Sequence, residues 1–107
     1  MQFSAELRER VLGGEITVSF RLWRRLQVKV GGQYTIGPGQ IHIESIALMP
    51  FGAITKGDVR RAGEADKESL RRRAAHAGPI AAETLLYRIE FHPVRAGDLR
   101  RPLDGRA

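Results

Sequence analysis

The chain has 107 residues, 42% hydrophobic and 28% charged, enough for one small core and too little for several domains. It has no cysteine, which excludes a disulfide framework, a thiolate metal site and a cysteine nucleophile. Its formal net charge is +6, and a basic balance on a small domain favours anionic partners, nucleic acid first. No apolar run approaches the roughly 20 residues of a transmembrane helix. The N-terminus has no basic segment leading into an apolar stretch. A cytoplasmic location without a membrane partner is expected. Fifteen of the 18 basic residues are Arg, and the three Lys stand at 29, 56 and 67. That preference fits bidentate phosphate recognition, and it fits codon bias equally well.

Gln2 and Phe3 read as the end of a short strand. Ser4 then reads as the N-cap of a helix running to about residue 12, with Leu7 and Val11 four apart on one face. Gly13 and Gly14 can end it. Residues 14–25, GEITVSFRLWRR, alternate. Ile16, Val18, Phe20 and Leu22 are expected on one face of a strand, and Thr17, Ser19, Arg21 and Trp23 on the other. The first row asks for a core. The second row holds hydroxyls, a guanidinium and an indole, suited either to a planar or anionic ligand or simply to solvent. Arg24 and Arg25 extend the charge past the strand's end.

Residues 26–32 read as extended, then as a turn at Gly31 and Gly32. Residues 33–36 form a short strand, and Gly37-Pro38-Gly39 turns the chain. Residues 40–49 are an Ile-rich strand with Ile41, Ile43 and Ala47 facing one way and His42, Glu44 and Ile46 the other; Pro50 stops it. Thr55 starts a short helix to about 62 with Asp58 in capping-box position, and Gly63 breaks it. Asp66 caps a second helix to about 77, with Leu70 and Ala74 as its thin apolar stripe. Residues 84–92 are the last strand, with Leu85, Tyr87, Ile89 and Phe91 inward and Leu86, Arg88, Glu90 and His92 outward. From Pro93 the composition has little to bury. We expect a domain over 1–92 and a flexible basic tail over 93–107.

No metal site or cofactor is expected: His42, His76 and His92 lie far apart in sequence. The Gly turns lack the lysine and the βαβ unit of phosphate loops. Arg71, Arg72 and Arg73 read as a solvated helix face or as phosphate contacts. Trp23 either covers the end of the core or stacks on a base beside Arg21, Arg24 and Arg25. Ser19 has no base placed near it by sequence.

A helix ending in LGG is followed by EITVSFRLW, VKVGGQYTIG, QIHIESIALMPFGAIT, DVRRAGEADKESL and LLYRIEFHPV. This series resembles the ASCH domain family over roughly residues 1–92. The resemblance implies an α+β fold, a small PUA-like β-barrel with flanking short helices. It also implies RNA, or a nucleoside-like ligand, in a cleft along the first motif strand. Some members of the family are amidohydrolases of acetylcytidine, and others are reported as ribonucleases. Their Thr and Arg positions fall on Thr17, Ser19 and Arg21. Their Lys falls on Ile16, or on Glu15 after a one-residue slip, and their Glu falls near Gly63, with Glu64 adjacent. Ile16 can neither take a proton nor stabilise an oxyanion. The expected function is therefore non-catalytic binding of single-stranded or modified RNA by Thr17, Ser19, Arg21, Trp23, Arg24, Arg25, Lys56, Arg60 and Arg61. The alternative is a hydrolase, either an amidohydrolase or a ribonuclease, with Ser19 and Glu64 as its working groups.

Overall fold

The computed structural model describes residues 3–75 and 78–94. Gln2, His76, the expected helix end at residue 77 and the tail from 95 lie outside the described residues. Helix α1 (Ala5–Leu12) buries Leu7 and Val11 on one side. Ser4 precedes it in an extended conformation, but its hydroxyl makes no capping hydrogen bond. Strand β1 (Val18–Arg21) is shorter than expected, β2 (Gln33–Ile36) falls where the sequence puts it, and β3 (Gly39–Pro50) follows. After a 3₁₀ turn (Phe51–Ala53), α2 (Lys56–Arg61) and α3 (Lys67–Ala74) lead to β4 (Leu85–Pro93).

The other two expected caps form. Thr55 Oγ1 accepts from the Asp58 amide at 3.1 Å, and Asp66 Oδ1 accepts from the Ser69 amide at 2.8 Å. Each cap satisfies an orphan donor of a first turn and is worth about 1 kcal/mol.

The strands pair antiparallel in the order β1-β4-β3-β2. The sheet is not closed into a barrel, in contrast to the expectation; β1 and β2 are its edges. The reason is local. Residues 22–32 form no strand, so nothing bridges one edge to the other, and a barrel needs that continuous stagger. The open sheet is covered on both faces instead. Against α1 lie Phe3, Ile16, Val28, Ile36, Ile41, Ile43, Ile89 and Phe91. Against Val59 of α2 and Leu70 and Ala74 of α3 lie Val18, Phe20, Phe51, Ile54 and Leu86. Each of these side chains stabilises the fold by about 1.5–3 kcal/mol when fully buried.

Two buried faces correct three alternation readings. On β4, Ile89 and Phe91 face α1 as expected, but Leu86 is fully buried in the opposite layer and Leu85 is 51% exposed. On β3 the register shifts between Ile43 and Ser45, leaving Glu44 as an extra residue. The bulge flips the phase, so Ile46, not Ala47, shares a face with Ile41 and Ile43. Before β1, Ile16 packs in the α1 layer while Val18 and Phe20 pack in the other. The chain is not yet a strand at Thr17, whose amide bonds the Arg61 carbonyl at 2.9 Å.

The last strand runs one residue past its expected end at 92, to Pro93, and the Val94 amide bonds the Gln40 carbonyl at 2.9 Å.

Candidate functional site

Because β1 is an edge strand, the two layers meet around it. A cavity of about 460 Å³ opens there between α1, β1 and α3. That is within the range of small-ligand sites. Alternation along β1 sends Val18 and Phe20 toward α2 and α3, while Ser19, opposite Ile89, points to the α1 side. Ser19 is buried, and its Oγ accepts a hydrogen bond from Arg21 Nε at 2.8 Å. The Arg21 guanidinium lies 4.8 Å from the centroid of the Phe3 ring. Burial lowers its pKa to about 10, since loss of water disfavours the charged form. It remains a cation at neutral pH. Trp23 follows, half-buried against Tyr87 with ring centroids 6.2 Å apart.

The opposite wall comes from the segment after α2. Gly63 turns the chain at φ +81°, a conformation glycine adopts without strain. Glu64 then enters the cavity with its side chain only 6% exposed. Its carboxylate is ion-paired with Arg73 Nε, and Arg73 Nη2 lies 3.9 Å from Glu6 Oε1 on α1. Arg73 thus ties α3 to both the cavity wall and α1. Arg73 was read only as part of a solvated helix face or as a phosphate contact, not as a partner of Glu64. The available signal was its place one residue before Ala74 and three after Leu70, which sets it on the flank of the buried stripe.

Of the residues expected to bind nucleic acid, Ser19, Arg21 and Trp23 line this cavity, as does Glu64. Thr17 and Arg61 do not; they belong to an ion network on the α2 side. Arg61 Nε donates to Thr17 Oγ1 at 3.0 Å, and Arg61 Nη2 pairs with Glu90 Oε2 at 2.6 Å. Arg88 holds Asp58 through two bonds of 2.9 and 3.0 Å and Glu90 through one of 3.2 Å. The Arg88 hydrogen bonds hold the Asp58 carboxyl below its ordinary range, and those from Arg61 and then Arg88 do the same for Glu90. Asp58 in turn raises the Arg88 pKa. Arg24, Arg25, Lys56 and Arg60 are exposed and outside the cavity lining.

The two positions that resemblance assigns to a Lys and a Glu pack against each other. Ile16 is 1% exposed in the core, and a Cβ on Gly63 would lie 2.6 Å from Ile16 Cδ1. An apolar contact fills the space that a charged pair would need. Elsewhere, the fold brings His42 and His92 together, stacked at 5.1 Å, with Glu44 bonded to His92. Among the described residues no group of three or more His, Cys, Asp or Glu could hold a metal ion, and no helix is long and apolar enough to cross a membrane.

By sequence, the chain matches no protein-family model and no curated protein. By structure, it is similar to an ASCH domain from Lactobacillus crispatus JV V101, with a TM-score of 0.68 at 20% identity, covering 87% of this chain and 77% of that one. It is also similar to protein EF3133 from Enterococcus faecalis V583, of the family DUF984, with a TM-score of 0.66 at 14% identity, covering 83% and 67%. The chain therefore has the fold of the ASCH domain.

Proposed function

We propose that this domain binds RNA, cytoplasmic in location, by accepting the base and sugar of one nucleoside in the edge-strand cavity, and that it does so without catalysis. The observation that supports this reading is the set of groups converging there: Ser19, Arg21, Trp23 and Glu64 line one cavity. An indole offers a stacking face, the guanidinium offers donors, and the carboxylate offers acceptors for an exocyclic amino group. Arg24 and Arg25 follow Trp23 directly in the chain and are exposed, in reach of the backbone of a bound strand. The test is fluorescence anisotropy with short labelled single-stranded RNAs. Saturable binding weakened by Arg21→Lys is the expected result; no binding by any RNA would refute the reading.

One observation favours a second reading, the amidohydrolase: Ser19 and Glu64 share the cavity. Against it, Arg21 donates to Ser19 Oγ and cannot accept its proton, and Ile16 supplies no charge. We expect no acetate release from acetylcytidine. Turnover abolished by both Ser19→Ala and Glu64→Gln would establish the hydrolase instead.

A further inference from the structure

We infer that the ligand carries a phosphate, seated in a second hollow on α3 that adjoins the cavity. This rests on the nucleoside-binding reading and adds the ligand's charged end. The hollow is lined by Gly63, Glu64, Ala65, Ser69, Arg72 and Arg73, and it shares Glu64 and Arg73 with the cavity. The Glu64–Arg73 pair is therefore the wall between them. Its two ends differ: the Glu64 side chain is 6% exposed, while that of Arg73 is 47% exposed. The acid faces the enclosed side and the base faces the open side. A ligand spanning that wall would meet an acceptor within and cations without. That polarity matches a nucleoside whose base is inside and whose phosphate is outside.

The outer hollow has further groups for an anion. Arg72 Nη2 donates to Ser69 Oγ at 3.4 Å, a contact with a neutral partner at the long end of hydrogen bonding. Among the described residues Arg72 makes no ion pair. Of the nearby carboxylates, Glu68 pairs with Arg71 at 3.2 Å, and Asp66 accepts the Ser69 amide and lies within the field of Arg72 and the reach of the Ser69 hydroxyl, so a phosphate would take over part of what Asp66 now supplies. Arg72 and the Ser69 hydroxyl are thus placed to take a phosphate jointly, with the planar fork of the guanidinium on two of its oxygens. Glu64 also lines the outer hollow, where its charge is offset by its ion pair with Arg73.

The experiment is calorimetric titration of the full chain, at fixed salt, with the four ribonucleosides, their 5′- and 3′-monophosphates and the matching dinucleotides. The expected result is that at least one monophosphate binds about tenfold tighter than its nucleoside, the scale of one charge-assisted hydrogen-bonded contact. Arg72→Ala should remove that gain and leave nucleoside affinity and melting temperature unchanged, because Arg72 is exposed. Arg72→Lys should restore part of the gain. A dinucleotide showing the same gain identifies the source as a phosphodiester within RNA; a gain confined to monophosphates identifies a free nucleotide. If nucleosides bind but phosphate adds nothing, or if the gain survives Arg72→Ala, the phosphate seat is wrong and the cavity reading stands. If neither nucleosides nor nucleotides bind, both fall.

Discussion

Arg21 carries the chemistry of the cavity, because it is half-buried, cationic and already bonded to Ser19. Its planar fork is what a lysine cannot reproduce. Arg21→Lys should therefore cost about tenfold in RNA affinity while the protein stays folded. A lowered melting temperature with unchanged affinity of the folded protein would make Arg21 structural. Gly63 is the second decisive residue. Gly63→Ala forces a side chain into positive φ and against Ile16 at once, and should cost more than ~1 kcal/mol. Ile16→Val removes the clashing Cδ1, so in chemical denaturation the double variant should cost less than the sum of the single ones. Strict additivity would mean that the two positions do not touch. At this scale the sequence was legible where period-2 alternation held, which put Ser19, Arg21 and Trp23 on one face, whereas Glu64 was reached only through the family resemblance. Arg73 was not legible, because only the fold brings the Glu64 carboxylate, from the turn after α2, against one of three consecutive arginines.

Elements were legible where a local signal sets them. Thr55 and Asp66 mark the starts of α2 and α3, and Gly37-Pro38-Gly39 fixes the β2–β3 hairpin. They were misread where a non-local partner decides. The Glu44 bulge and the burial of both faces of β4 follow from the layers on either side, which alternation alone does not encode. The network of Asp58, Arg61, Arg88 and Glu90 joins residues about 30 apart in sequence and drew Arg61 and Thr17 away from the site. It has a pH signature. The carboxyls of Asp58 and Glu90 titrate lower in the folded state than in the unfolded chain. Their contribution is full above the ordinary carboxylate range near pH 4 and is lost as pH falls through the lower folded values. Melting temperature should thus fall as the pH drops below about 4. Glu90→Gln should be less stable than the parent at pH 7, with the difference shrinking as the pH falls below that range. A difference independent of pH would remove this network from the account.

For the whole molecule, one short edge strand decides the architecture. Four residues of β1 leave the sheet open, bring the two helical layers together and enclose the cavity where they meet. A closed barrel was the natural reading of many short strands and glycine turns; the absence of a strand over residues 22–32 is what rules it out. The net charge of +6 adds a salt-dependent attraction spread over the exterior. Arg24→Ala/Arg25→Ala should weaken all RNAs alike and flatten the log–log salt slope by roughly one to two, given about −0.7 per phosphate on a single strand. Exterior charge alone, however, would also bind RNA, so the central claim is that the base enters the cavity. Trp23 is the sole tryptophan and lines that cavity, which makes its emission the direct reporter. In a titration with short single-stranded RNA, Trp23 fluorescence should change saturably, with a midpoint that matches anisotropy and rises about tenfold in Arg21→Lys. RNA that binds by anisotropy while Trp23 emission stays constant would contradict the account.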